Sequence, residues 1–291
     1  MKPPPFEYHN PKTLQQALRN LTEFQNSRLL AGGQSLMPML NMRLATPEHL
    51  IDLAGVEGLS YIVEEGGEIA IGAMTAQRTI EFSQLIKQRL PLLSEAILSV
   101  GHRQTRNRGT IGGSLCHLDP SAELPLVARA FDATIRATSA AGTRTIPMAE
   151  FAVDFMTPAL EAGEIVTEIR FWPWPEGHGA AFIEFARRKG DFAIVAVAAM
   201  LNLASDGRIA RASLTVGGVG PVPVRVSAAE AMLVGNIPDA ALFARAAVPC
   251  AAIEPLTDPH VPPWYRRRVS STLARRALAT AYLRAERKQH G

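Results

Sequence analysis

Two glycine pairs decide the fold, in LAGGQSL at residues 30–36 and in GTIGGSL at residues 109–115. Glycine lacks a Cβ and tolerates a positive φ, so successive backbone N–H groups beside such pairs can point into one concavity. A concavity of that kind binds a phosphate oxygen, and the hydroxyls of Ser35 and Ser114 would add further donors. Two such concavities, one beside each glycine pair, would together bind the two phosphates of a pyrophosphate. A dinucleotide is the natural ligand for that arrangement.

Gly-Gly pairs are also common in ordinary turns, and on chemistry alone that interpretation stays open. The known fingerprints do not decide the matter. Neither stretch is G-x-G-x-x-G, and no G-x-x-x-x-G-K-[ST] or G-x-S-x-G occurs in the chain. Rossmann, P-loop and nucleophile-elbow folds are therefore disfavoured.

Strand and helix patterns divide the chain into three blocks, 1–55, 56–176 and 177–291, with the last boundary at the WPWPEG stretch of residues 172–177. The predicted strands are 6–8, 28–31, 50–53, 61–63, 69–71, 133–138, 164–171, 181–185, 193–203 and 209–216. The predicted helices are 14–21 with Thr13 as N-cap, 36–43, 80–86, 92–100, 123–131, 228–233, 240–247 and 264–287.

The composition is that of an ordinary folded protein: 291 residues, 47% hydrophobic and 20% charged, with a net charge of +3. Residues 192–203 are the most hydrophobic stretch and are too short to span a bilayer. No secretory signal follows Met1, so we predict a cytoplasmic protein.

The C-terminal segment is basic, whereas the rest of the chain is slightly acidic, and this distribution is not typical of a nucleic-acid-binding domain. We expect a solvated helix face, with docking of a partner as the alternative, from Arg266, Arg267, Arg268, Arg275 and Arg276.

The residues around both glycine pairs resemble a known family, the FAD-binding medium subunit of molybdenum hydroxylases in the carbon monoxide dehydrogenase and xanthine dehydrogenase superfamily. Its landmarks are AGGQSLMP at 31–38, IGAMT at 71–75, RNRGTIGGS at 106–114, RRKGDFA at 187–193 and GGV at 217–219. They cover nearly the whole chain in the order of the family.

The resemblance implies an α+β fold: a two-part α/β FAD-binding domain of the vanillyl-alcohol oxidase (PCMH) type, then a smaller C-terminal domain of antiparallel strands and helices. It implies that backbone N–H groups of residues 31–35 and 110–114 hold the FAD pyrophosphate and that Glu123 contacts the ribose or adenine half. Asp191 would touch flavin or order its own loop. The complete implied FAD-binding set is Ala31, Gly32, Gly33, Gln34, Ser35, Leu36, Thr75, Val100, Thr110, Ile111, Gly112, Gly113, Ser114, Glu123, Ile165, Val166 and Asp191.

The resemblance also implies partners: a large subunit with the molybdenum cofactor and a small subunit with two [2Fe–2S] clusters, in a dimer of heterotrimers. Electrons would pass from the clusters to FAD and on to an external acceptor. A [2Fe–2S] cluster takes four cysteines as a rule, and the chain has only Cys116 and Cys250, so the clusters must lie elsewhere. We expect no catalytic acid, base or nucleophile here and no metal site. A stand-alone FAD oxidoreductase and a flavin-free scaffold protein of the same fold remain as alternatives.

Overall fold

The first sheet is parallel and comes from the N-terminal residues. The computed structural model describes residues 2–290. Strands β1 (Glu7–His9), β2 (Ser27–Leu30) and β3 (His49–Asp52) pair in the order β1-β3-β2, with helices α1 (Leu14–Glu23) and α2 (Leu36–Asn41) between them. Thr13 caps α1 as predicted, because its hydroxyl accepts from the Gln16 N–H while the Gln16 side chain accepts from the Thr13 N–H.

The second sheet has five antiparallel strands in the order β4-β5-β10-β6-β7. These strands are β4 (Ile62–Glu65), β5 (Glu68–Gly72), β6 (Thr134–Ser139), β7 (Gly142–Pro147) and β10 (Ile165–Phe171). The helices around it are α3 (Gln77–Phe82), α4 (Gln84–Arg89), α5 (Pro91–Ala96), α6 (Arg103–Arg108), α7 (Ile111–His117), α8 (Glu123–Ala130) and α9 (Met148–Phe151). A small pair, β8 (Ala152–Asp154) and β9 (Thr157–Pro158), follows α9.

The third sheet is antiparallel, with strands β11 (Gly179–Phe185), β12 (Val195–Leu203), β13 (Ile209–Gly217) and β14 (Val224–Arg225). Its helices are α10 (Ser227–Leu233), α11 (Ala240–Ala246) and α12 (Pro263–His290). Helix α12 runs so close to β11 that a side chain at Gly179 would overlap the carbonyl oxygen of Ala281. No helix within residues 2–290 is long and apolar enough to cross a membrane.

Each sheet lies inside one of the three predicted ranges, whereas the buried core crosses from one range to the next. Ile165 belongs to the small core of the first sheet, together with Ala17 and Ile51. Phe182 and Met200 of the third sheet belong to the core of the second. The domain limits 1–55, 56–176 and 177–291 therefore stay a prediction.

Two expectations about local structure were wrong, and several short elements were not predicted. The predicted helix 80–86 is two helices, because Ser83 ends α3 and its hydroxyl caps α4 by accepting from the Ile86 N–H. The elements that were not predicted are strands β7, β8, β9 and β14 and helices α6, α7 and α9. Arg266 is not solvated: it is buried, and its guanidinium donates 2.6 Å to the Ile194 carbonyl, as well as to the Gly218 carbonyl.

Candidate functional site

A cleft of about 1190 Å³ is lined by residues of the first and second sheets and of the loops around them. The loop after β2 and the start of α7, which contact each other, lie side by side in this lining, and the start of α8 adds to it. Residues 190–192, which precede β12, close one end. Its size suits a ligand larger than most drug-sized molecules, which occupy pockets of roughly 300–1,000 Å³.

The first glycine pair forms an open cradle of donors on one wall of this cleft. Gly33 has a φ of +73°, a left-handed conformation that favours glycine. Within residues 2–290, the N–H groups of Gly32, Gly33, Gln34 and Ser35 have no hydrogen-bond acceptor, and the Ser35 hydroxyl has no partner. Gly32, Gly33 and Ser35 are half-buried and Gln34 is exposed, and four open donors in succession are able to bind an anionic ligand.

The second glycine pair has a different structure from the one predicted, because it lies inside helix α7. Thr110 caps this helix, and its hydroxyl accepts from the Gly113 N–H at 3.1 Å. The N–H groups of Ile111, Gly112 and Ser114 also have protein acceptors, which are the carbonyls of Thr75, Ala73 and Thr110. The N–H groups of residues 111–114 are thus already paired within the chain, and the expectation that they hold a phosphate stays a prediction.

Gly112 is needed for close packing rather than for a positive φ. A Cβ at this position would come 2.7 Å from the Ala73 carbonyl oxygen and 2.6 Å from the Ala73 Cβ. The donors that this segment offers to the cleft are the Thr110 N–H and the Ser114 hydroxyl, neither of which has an acceptor within the described chain.

Glu123 supplies a buried carboxyl group at the start of α8. The residue is 6% exposed and lines the cleft. Burial raises its pKa to about 8, with smaller contributions of the same sign from Glu184 and Asp119, while a backbone hydrogen bond opposes them. The carboxyl group is therefore largely protonated at pH 7 and can donate a hydrogen bond.

The sequence of the chain matches two protein families. Residues 4–174 match the FAD-binding domain in molybdopterin dehydrogenase, and residues 180–281 match the carbon monoxide dehydrogenase flavoprotein C-terminal domain. The chain belongs to the FAD-binding family of molybdopterin dehydrogenases. It is an FAD-binding medium subunit of the molybdenum hydroxylase type, part of an oxidoreductase.

Individual relatives align with this medium subunit along almost its whole length. The 6-hydroxypseudooxynicotine dehydrogenase complex subunit alpha of Paenarthrobacter nicotinovorans is 42% identical over 98% of this chain and 97% of its own. The carbon monoxide dehydrogenase medium chain of Afipia carboxidovorans is 35% identical over 98% of this chain and 100% of its own.

A solved structure gives the same result for the fold. A carbon monoxide dehydrogenase from Hydrogenophaga pseudoflava that lacks the Mo-pyranopterin moiety superposes with a TM-score of 0.95 at 36% identity. That match covers 98% of this chain and 99% of the other. The α+β fold with an FAD-binding domain and a C-terminal domain is thereby confirmed.

Most of the residues predicted to bind FAD line the cleft of the medium subunit. Those that do so are Ala31, Gly32, Gly33, Gln34, Ser35, Leu36, Val100, Thr110, Gly112, Gly113, Ser114, Glu123, Ile165, Val166 and Asp191. Asp191 forms an ion pair of 3.1 Å with the exposed Arg188, which orders its loop. Thr75 and Ile111 lie behind the wall, and the Thr75 hydroxyl is bonded to the backbone of Tyr61.

Gln77 is a cleft residue that the sequence analysis missed. It is 5% exposed, and its Oε1 atom has no hydrogen-bond partner among the described residues. A Cβ at Gly109 would come 2.7 Å from this atom, so the glycine keeps the amide in place. No local sequence pattern marks Gln77. The open donor cradle, the protonated Glu123 and this unpaired amide together fit a dinucleotide with a pyrophosphate group.

Proposed function

We propose that this medium subunit carries FAD as the electron-transfer component of a molybdenum-containing hydroxylase. It takes electrons from [2Fe–2S] clusters of a small subunit and passes them to an external acceptor. The observation that carries the proposal is the row of four open N–H groups from Gly32 to Ser35 on one wall of a cleft that also holds the buried carboxyl group of Glu123.

The lining residues contact different parts of FAD. The N–H groups of residues 32–35 donate to the pyrophosphate. Further donors to it are the hydroxyls of Ser35 and Ser114 and the N–H of Thr110. Protonated Glu123 donates to the ribose or adenine half. Apolar contacts come from the remaining lining residues Leu36, Val100, Ile165 and Val166.

Thr75 and Ile111 act on the site from behind. The Thr75 carbonyl accepts from the Ile111 N–H at 3.2 Å, and this bond fixes the first turn of α7 against the segment between β5 and α3. The bound FAD supplies the redox chemistry, and the protein supplies binding, orientation and exclusion of water. No side chain of the subunit needs to act as a nucleophile or base in this scheme.

The cysteines support a separate iron–sulfur subunit. Cys116 and Cys250 are free thiols, and desolvation raises the pKa of each to about 12, so both are protonated at neutral pH when no metal is bound. Four cysteines are needed for one cluster. The relatives named as a medium chain and as a complex subunit support an assembly of several subunits. The proposed partners are a large molybdenum subunit and a small iron–sulfur subunit, in a dimer of heterotrimers.

The test is to purify the complex from its source cells through an affinity tag on this chain and to measure its metals and its electron transfer. We expect FAD, molybdenum and about four iron atoms per FAD. Reduction of a dye acceptor by dithionite-reduced complex should stop when this chain is stripped of FAD and return when FAD is added. A complex that reduces the dye equally fast without FAD, or a chain that purifies without metal-bearing partners, would contradict the proposal.

A further inference from the structure

Three side chains with metal-binding atoms meet at the outer edge of the first sheet, and we call them the Glu7–His9–His49 cluster. The parallel register of β1 and β3 places Glu7 opposite His49, and Glu7 and His9 share one face of β1 because they are two residues apart. None of the three lines the FAD cleft as the described residues form it. The cluster is therefore independent of the proposed FAD site.

The distances among the donor atoms match those of a coordinated ion. His9 Nε2 lies 3.0 Å from His49 Nδ1, and Glu7 Oε2 lies 4.0 Å from the first and 3.6 Å from the second. A circle through three points with these separations has a radius of about 2.1 Å, which equals the usual zinc–nitrogen and zinc–oxygen bond length. An ion at the centre reaches all three atoms without rearrangement of the backbone.

Phe24 fixes the orientation of both imidazole rings. Its ring stacks on His9 with centroids 4.2 Å apart and on His49 with centroids 4.7 Å apart, at 21° in each case. The two histidine side chains are 19% exposed, whereas Glu7 is 74% exposed. The cluster thus has two ordered ligands and one solvent-exposed ligand.

We propose that the Glu7–His9–His49 cluster binds a divalent transition-metal ion of the zinc type. Two imidazoles and one carboxylate suit zinc, nickel or copper rather than magnesium or calcium, which take oxygen ligands. Binding requires the ring proton of His9 on Nδ1 and that of His49 on Nε2, so that both facing nitrogens present a lone pair. The ion ties β1, an edge strand of only three residues, to β3 at the centre of its sheet.

The test is a calorimetric titration of Zn²⁺ into the untagged full-length chain after removal of metals with a chelator. We expect one Zn²⁺ per chain, with affinity reduced about 100-fold or more in His9→Gln and in His49→Gln, because losing a residue that merely supports a ligand already costs about 10–100-fold. Glu7→Gln should weaken binding about tenfold. Because Glu7 is exposed, Glu7→Gln is expected to fold, and its zinc affinity tests the proposal even if a histidine variant fails to fold. His260→Gln, on an exposed histidine outside the cluster, is the matched control and should bind as the wild type does.

A second measurement connects the ion to the strand. Saturating Zn²⁺ should raise the thermal midpoint of the wild type and of His260→Gln but not that of His49→Gln. The proposal is overturned if the wild type binds no Zn²⁺ at micromolar concentrations. It is equally overturned if Glu7→Gln and the histidine variants bind with wild-type affinity, because the ion would then occupy another site.

Discussion

Gly32 lies directly against the backbone of Arg108, and a side chain at Gly32 would overlap the Arg108 carbonyl oxygen. The contact joins the loop after β2 to the residues that precede α7. It is the point at which the two glycine-containing segments meet. A Cβ at Gly113 would similarly come 3.2 Å from the Ala31 Cβ. The cleft keeps its shape because these two segments pack backbone to backbone.

We predict that Gly32→Ala weakens FAD binding at least tenfold and lowers the free energy of unfolding by about 1–3 kcal/mol, because the added methyl separates the two segments. Fluorescence titration of apoprotein with FAD and urea unfolding measure the two effects. Gly58→Ala is the control, since nothing lies within 4 Å of its Cβ although its φ is +78°. The control should lose some stability and keep its FAD affinity. Wild-type FAD affinity in Gly32→Ala would contradict the prediction.

Glu123 should make the stability of the FAD-free protein depend on pH. Its folded-state pKa of about 8 lies above the ordinary value of 4.5, so the folded protein holds its proton more tightly than the unfolded chain does. Its stabilising contribution is complete below pH 4.5 and is lost as the pH rises to about 8. Between pH 5 and pH 8 we expect the wild type to lose about 3 kcal/mol more than Glu123→Gln.

Urea unfolding of both proteins at pH 5, 6, 7 and 8 measures this difference. Glu176→Gln, at an exposed position, is the control and should follow the wild type. Parallel pH profiles for the wild type and Glu123→Gln would show that the carboxyl group is solvated or paired in the folded protein.

Arg266 should stabilise the third sheet far more than its neighbours on α12 do. Its guanidinium joins the carbonyls of Ile194 and Gly218, and it lies 2.5 Å from the Asp258 carboxylate. Arg266→Met leaves buried acceptors without donors, so the free energy of unfolding should fall by about 3 kcal/mol or more. Arg275→Met, at an exposed position of the same helix, should change it by less than about 0.5 kcal/mol. Equal effects in urea unfolding would refute the structural role of Arg266.

The thiols should have no part in electron transfer. Cys116→Ser and Cys250→Ser should leave the rate of FAD reduction by dithionite unchanged, because both thiols are protonated at neutral pH, including the half-buried Cys116 that lines the cleft. Cys250→Ser places a hydroxyl in an apolar core and should cost about 1–3 kcal/mol of stability. A slower FAD reduction in either variant, measured by absorbance in a stopped-flow instrument, would mean that a thiol belongs to the redox path.

Local patterns were sufficient to predict the first glycine loop and most elements. The strand before Gly32, the positive φ at Gly33 and the helix after Ser35 all follow from residue types within eight positions. The second pair differs from the expected turn, because it lies inside helix α7. Glycine serves a left-handed turn and a close backbone approach equally well, and only the position of Ala73 shows that Gly112 serves the close approach.

Features that depend on strand register or on distant partners could not be predicted. His9 and His49 are 40 residues apart and meet because β1 and β3 are parallel neighbours in one register. Arg266 is the first of three consecutive arginines, and nothing in that run says which one faces the carbonyls of Ile194 and Gly218. Tertiary packing decides both cases.

The most direct test of the central claim is to express this chain alone, record its visible spectrum and identify the chromophore released by acid. We expect a yellow protein that yields one free FAD per chain. A folded chain, judged by circular dichroism, that stays colourless after incubation with excess FAD would contradict it.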